Sequence, residues 1–313
     1  MAKSVLSAPH FQTEAAAFAY VEAELWPNGP VCPHCGETAR IGQLNGQTTR
    51  AGLRKCYACK KPFTVRMGTI FEDSHLPLHL WLQIIHLMCA SKKGIATRQI
   101  QRMLKCSMKT AWFLGHRIRL AMAPDASAGP LGGSGKTVEA DEMFLSKSFK
   151  TKKTAEELAI GRRQATPQVL SLVERGGNIR SMFLDHRMVG PFLYEHVHKD
   201  SRLVSDSAQH YKFPPVASHE SVDHSKFEWA RGDVHTNTLE GFFSIFKRGL
   251  IGIYQHVDKK HLDRYLAEFD FRQNNRAKLG IDDTKRAEIA LQGVRGKRLT
   301  YQTTHREHPE AQA

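Results

Sequence analysis

From residue 236 onward the apolar positions recur at helical spacing: Leu239, Phe242, Phe243, Phe246 and Leu250 form one stripe, with Asn237, Glu240, Ser244 and Lys247 on the opposite face. A helix brings residues three, four and seven apart onto one side, so this element presents an amide, a carboxylate and a cation together. Upstream the period changes. Residues 137–144 alternate loosely after a flexible stretch and predict a strand. Residues 202–206 carry a short apolar run, Leu203-Val204, stopped by Ser205-Asp206-Ser207, the pattern of a buried strand that ends at a polar site. Between them, residues 168–173 and 179–184 flank the turn Glu174-Arg175-Gly176-Gly177-Asn178 and predict a β-hairpin. Residues 191–198 read as a helix. The order is strand, strand, strand, helix, strand and a final carboxylate-bearing helix, which predicts an α/β fold with a mixed sheet and helices on its faces.

The first half of the chain is helical in residues 78–89, 96–104 and 108–122, and the break Lys105-Cys106-Ser107 gives the last two a helix-turn-helix outline. On the third helix Lys109, His116, Arg117 and Arg119 supply donors suited to phosphates and guanine edges. Residues 124–135 are rich in Pro, Gly, Ala and Ser and mark a boundary. Within them Gly133-Ser134-Gly135-Lys136-Thr137 imitates the end of a P-loop. The upstream glycine position is Pro130, and the stretch enters a strand rather than a helix, so no ATP site is expected.

Placed on these elements, Asp141 falls in a strand, Asp206 at a strand end and Glu240 on a helix face, with Lys247 seven residues further on. Carboxylates are the hard ligands that Mg²⁺ prefers, and two such ions stabilise the attacking and leaving oxygens of a displacement at phosphorus. A single Asp near a strand end is more often a turn former or cap than a ligand; the joint placement of the three acids favours a metal site.

The element order, the Asp206 to Glu240 separation and the following lysine resemble the ribonuclease-H-like core of DDE transposases and retroviral integrases. The strings HTNTLEGFFSIFKRGLIGIYQHV and HLDRYLAEFDFRQNNR resemble the ISXO-two-like transposases of bacterial insertion sequences. The resemblance runs from about Cys32 to Arg276. It implies Asp141, Asp206 and Glu240 as ligands of two Mg²⁺ or Mn²⁺ ions, Lys247 as a holder of the DNA end, and His235 as a phosphate-orienting or packing residue. The group includes an asparagine variant of the third ligand, and Asn237 shares the helix face; charge and reach favour Glu240.

Cys32-Pro-His-Cys35 and Cys56-Tyr-Ala-Cys59 are two CxxC knuckles separated by residues 36–55, a spacing typical of a four-thiolate zinc site. A redox reading of CPHC lacks the βαβ context and leaves the second knuckle unexplained. The pair resembles the zinc ribbon at the front of the same transposases. Cys89 and Cys106 lie in apolar helical segments and read as inert core. The expected organisation is a helical segment (1–27), a zinc ribbon (28–70), a helix-turn-helix-like DNA-binding domain (71–123), a linker (124–136), the catalytic domain (137–294) and a polar, disordered tail (295–313).

Composition narrows the partner. With 45 Lys+Arg against 31 Asp+Glu in 313 residues, the net charge of +14 favours a polyanion. Basic clusters at Lys150, Lys152 and Lys153, at Arg162 and Arg163, at Lys259 and Lys260, and at Arg248 beside Lys247 are candidate DNA contacts. No apolar run spans a membrane, and cysteine usage fits a reducing bacterial cytoplasm, on the nucleoid. The expectation is a transposase that binds terminal inverted repeats and target double-stranded DNA as a homodimer or higher oligomer. A nuclease or resolvase on the same core, and a DNA-binding regulator without chemistry, are the alternatives; the presence of all three acids counts against the regulator.

Overall fold

The computed structural model describes residues 4–124, 128–145, 168–184, 189–206, 211 and 214–300. Lys150, Lys152, Lys153, Arg162 and Arg163 lie outside the described residues. The chain divides into two units, one of residues 1–87, 97–121 and 287–313, the other of residues 88–96 and 122–286.

In the first unit, helix α1 (Glu14–Leu25) starts where the Thr13 hydroxyl accepts the Ala16 N–H at 3.3 Å. It buries Ala17, Phe18, Val21 and Leu25. Three short strands follow, β1 (Ile41–Gln43), β2 (Arg54–Cys56) and β3 (Pro62–Phe63), all antiparallel. Arg54 on the middle strand grips Glu22 of α1 with both Nε (3.2 Å) and Nη2 (2.5 Å). Helices α2 (Leu78–Ala90), α3 (Thr97–Leu104) and α4 (Met108–Met122) come next. The break between α3 and α4 has a local cause: Lys105 adopts φ +49°, and the Ser107 hydroxyl accepts the Thr110 N–H at 3.0 Å, capping α4.

Three of the donors expected to meet DNA are instead part of this unit's interior. His116, Arg117 and Arg119 are buried. Arg117 donates to the carbonyls of Ile70 (2.9 Å), Glu72 (2.8 Å) and Leu299 (3.1 Å), all of them in segments outside any helix or strand. The stretch expected to open a disordered tail is also bonded: Arg295 bridges Thr69, and Gly296 N–H donates to Gly68 O at 2.8 Å.

The second unit is built on a five-stranded sheet of β4 (Thr137–Phe144), β5 (Gln168–Glu174), β6 (Ile179–Leu184), β7 (Arg202–Asp206) and β8 (Ser218–Val222), in the order β6-β5-β4-β7-β8. β5 pairs antiparallel with both β4 and β6, and β7 and β8 run parallel to β4. The helix α5 (Val189–His196) makes the crossover to β7. β8 was not anticipated, because Ser-His-Glu-Ser-Val carries no apolar alternation. Nor is the carboxylate-bearing helix α6 (Asn237–Gly249) the last element, since α7 (Leu262–Asn274) and α8 (Asp283–Gln292) follow it.

Strand alternation splits the core into two layers. Met143, Val169, Val173 and Ile179 pack under Leu239, Phe243 and Phe246 of α6 and Leu266 and Phe269 of α7. Val138, Ala140, Leu170 and Leu172 pack on the other face with Phe192, Leu193 and Tyr211. At the edge strand β6, three side chains of α7 receive the outward N–H groups: Asp263 that of Phe183 (3.2 Å), Asp270 that of Ser181 (2.7 Å) and Asn274 that of Ile179 (2.6 Å). The helix thus covers an edge that would otherwise offer itself for pairing. Among the described residues no helix is long and apolar enough to cross a membrane.

Candidate metal centres and catalytic site

The register of β4 against β7 pairs Glu139 with Val204. Two residues further along both parallel strands stand Asp141 and Asp206, on the same face by the period of two, with Asp206 the last residue of β7. The ligand oxygens of Asp141, Asp206 and Glu142 all lie within 4.8 Å of one another. Burial pushes the Asp141 carboxyl up to about 7, and the neighbouring charges of Glu142, Asp206 and Glu240 add to it against the Glu142 N–H, which donates to Asp141 Oδ1 at 2.8 Å. Such a concentration of carboxylates is short of positive charge, and the hard oxygen donor set fits a divalent cation.

Glu142 was missed in the sequence reading, because it neighbours Asp141 on a strand and alternation assigns it the opposite face. The Tyr211 hydroxyl donates to Glu142 Oε1 at 2.7 Å and fixes it there. Glu240 is outside the close group of three, but its charge reaches Asp141. On α6 the two faces separate as the periodicity predicts: Leu239, Phe242, Phe243, Phe246 and Leu250 are buried, while Asn237, Glu240, Ser244 and Lys247 are exposed.

The start of α6 is held from β4. The Glu139 side chain is fully buried, and its carboxylate accepts the Thr238 N–H (3.0 Å), the Thr238 hydroxyl (2.9 Å) and Arg175 Nε (2.8 Å). Arg175, from the hairpin turn, also donates to the His235 carbonyl at 2.9 Å. His235 Nδ1 lies 3.8 Å from Glu139 Oε1, so this ring faces the clamp.

The four cysteines form a second group. Cys32 and Cys59 sulfurs are 3.7 Å apart, as are those of Cys35 and Cys56, and all four lie within 4.8 Å of one another. A tetrahedron with metal–sulfur bonds of about 2.3 Å has edges of about 3.8 Å, so the spacing fits zinc and is far too long for disulfides. Each knuckle closes with a left-handed residue, Gly36 at φ +76° and Lys60 at φ +63°, which turns the chain back over the sulfurs. The Cys59 N–H, 3.5 Å from the Cys56 sulfur, leads the causes that pull the Cys56 thiol down to about 7.

Residues 130–274 match the family model of the ISXO2-like transposase domain, and residues 12–62 that of the transposase zinc-ribbon domain. The chain thus carries an ISXO2-like transposase domain and a transposase zinc ribbon. A Halobacterium salinarum protein, described as an uncharacterized protein in transposable element ISH50, is 25% identical over 276 residues, which cover 83% of this chain and 90% of that protein. No solved structure matches.

Within the transposase domain both aspartates, Glu142, Glu240 and the Glu139 clamp fall inside the matched residues. The zinc-ribbon match takes in α1 as well as the cysteines, in keeping with the Arg54–Glu22 pairing that joins them. Of the other expected DNA contacts, Lys109 is exposed on α4, and Arg248 is exposed on α6 with its Nε on the Ser244 carbonyl at 3.1 Å. Lys260 pairs with Asp258 at 3.4 Å. Cys89 is buried, and burial pushes its thiol up to about 12.

Proposed function

We propose that this chain is an insertion-sequence transposase that binds the terminal inverted repeats of its element, cleaves a DNA strand there and joins the freed 3′-hydroxyl to target DNA. The observation that carries the reading is the meeting of Asp141 and Asp206 at the end of β7 inside the matched transposase domain, opposite a helix whose exposed face carries Asn237, Glu240 and Lys247. Three antiparallel strands followed by a helical crossover to two parallel strands support a ribonuclease-H-like core.

Asp141, Asp206 and Glu240 hold two Mg²⁺ or Mn²⁺ ions, which when bound supply the charge that stabilises the attacking and leaving oxygens. Asp141 and Asp206 are fixed by the sheet, so their oxygens keep one geometry as the DNA strand enters. Lys247, two turns beyond Glu240, contacts a phosphate near the scissile bond, and Asn237 supports the same strand by hydrogen bonding. Hydrolysis and strand transfer are one displacement with two oxygen nucleophiles, so the same residues serve both. Cys32, Cys35, Cys56 and Cys59 hold a structural zinc ion, and the ribbon with α2–α4 recognises the repeats. The working complex is a homodimer or higher oligomer on double-stranded DNA, acting on the nucleoid.

Incubating the protein and Mg²⁺ with duplexes carrying the element's ends and a circular target is the test. Strand cleavage followed by joined product is expected. Cleavage without joining would turn the reading to a nuclease or resolvase; specific end binding without either would turn it to a regulator.

A further inference from the structure

The second unit contains a cavity of about 390 Å³ on the side of α6 away from its exposed polar face, lined by Phe242 and Ile245 of that helix. Five cations also line it, Lys92, Arg272, Arg276, Lys278 and Arg286, against one carboxylate, Asp283. That carboxylate is already engaged, since Arg286 Nη1 donates to it at 2.6 Å. Arg286 spends further donors on the carbonyls of Cys89 (2.9 Å) and Asn275 (2.7 Å) and is structural.

Arg272 is different. It is 8% exposed; its Nη1 pairs with Glu268, and its guanidinium stacks on the Phe269 ring at 4.5 Å. Its Nε and Nη2 are buried and have no hydrogen-bond partner. Buried donors without partners are rare and call for a ligand, ion or water. Nε and Nη2 form the side-on fork of a guanidinium, which grips two oxygens of one oxyanion. The same protein uses that fork elsewhere: Arg54 Nε and Nη2 hold the two oxygens of Glu22.

We propose that this cavity binds a phosphate ester, with two phosphate oxygens on the Arg272 fork and the exposed Lys92 and Lys278 neutralising the remaining charge. Among the described residues neither lysine pairs with a carboxylate. Phe242 and Ile245 give the carbon portion of the ester an apolar wall. The volume lies within the range of small-molecule pockets and admits a nucleotide. The phosphate comes from a DNA strand or from a free nucleotide, and the chemistry of the site is the same for both. The site is separate from Asp141 and Asp206, so it does not rest on the catalytic reading.

Titration calorimetry of the full, zinc-loaded chain with deoxyadenosine monophosphate, in buffer without divalent metal, tests the site. Saturable binding is expected, displaced by inorganic phosphate and weakened about tenfold or more by Lys92→Ala with Lys278→Ala, two exposed positions whose loss leaves the fold intact. Arg272→Lys keeps the charge and loses the fork, and should abolish binding if the variant folds. Asp206→Asn should bind as the wild type does, which separates this site from the catalytic one. A 5′-phosphorylated oligonucleotide that displaces the nucleotide identifies DNA as the source; failure to displace identifies a free nucleotide. Absence of saturable binding by the wild type, or equal affinity in the double lysine variant, overturns the proposal.

Discussion

Glu139 is bonded twice to Thr238: its carboxylate takes both the backbone N–H and the hydroxyl of that residue, at 3.0 and 2.9 Å. The two ends of the clamp are each two residues from an acid of the candidate site, Asp141 on the strand side and Glu240 on the helix side. An anionic group at a helix N-terminus is also favoured by the helix dipole. The clamp therefore sets the position of Glu240 relative to Asp141 without touching DNA.

Glu139→Gln keeps an acceptor for Thr238 but leaves Arg175 without its buried counter-charge. Loss of about 1–3 kcal/mol of stability is expected. Strand cleavage should slow by about 10²-fold, the cost of a misplacement on the order of 1 Å, while affinity for the element's end is nearly unchanged. Cleavage kinetics and gel shifts on one preparation decide this, and a fall in both by the same factor would count against a positioning role.

Asp141→Asn and Asp206→Asn should abolish cleavage and joining while leaving end binding intact, since the amide keeps the shape and loses the charge that holds the metal. The like charges around Asp141 give a second readout. Removing the cost of burying the Asp141 charge, and with it that repulsion, should raise the melting temperature of metal-free Asp141→Asn above that of the wild type at pH 8. Retained Mg²⁺-dependent nicking by either variant would remove that residue from the site.

The third ligand is decided by comparing Glu240→Gln, Glu142→Gln and Asn237→Ala. With Glu240 as ligand, Glu240→Gln loses chemistry outright, and Glu142→Gln, whose Oε1 is held by Tyr211, retains part of it. Inactive Asn237→Ala beside active Glu240→Gln would transfer the role to the asparagine.

How much of this could be read in the sequence follows from the range of the forces involved. The faces of α6 were legible, because five apolar residues at helical spacing leave one arrangement that buries them all. The bounds of β7 were legible because polar Ser205-Asp206-Ser207 follows Leu203-Val204, and those of β4 because a loose alternation begins where the flexible stretch ends. Burial of Arg117 was not, since the carbonyls that hold it come from Ile70, Glu72 and Leu299, distant in the chain. Glu142 and Glu139 were missed for a related reason: their roles depend on Tyr211, Arg175 and Thr238, and no local pattern announces a partner that arrives by folding. The polar strand β8 carries no periodic signal of its own and forms because β7 offers it a ladder.

Replacing Cys56 and Cys59 with serine should release zinc and weaken end binding, because three strands of two or three residues around Phe63 cannot hold the ribbon without metal. Mass spectrometry should find about one zinc per wild-type chain. A metal-free wild type with full end binding would sink the zinc assignment.

The Asp270 carboxylate accepts the Ser181 N–H and hydroxyl, both at 2.7 Å, at the covered edge of β6. Burial, opposed by those two donors, pushes its carboxyl up to about 7. Its pKa in the unfolded chain is about 4, so between about pH 4 and 7 the folded state binds more protons than the unfolded one. Stability from this group is therefore greatest at the acid end, falls as pH rises through that window, and levels off above it. Asp270→Asn keeps an acceptor for the Ser181 N–H and removes the titration. The drop in urea midpoint of the metal-free protein from pH 5 to pH 8 should shrink in this variant, and shrink further when Asp141→Asn, whose carboxyl is raised in the same direction, is added. A drop equal to that of the wild type in both variants would show that the edge carboxylate is ionised in the folded protein throughout the window.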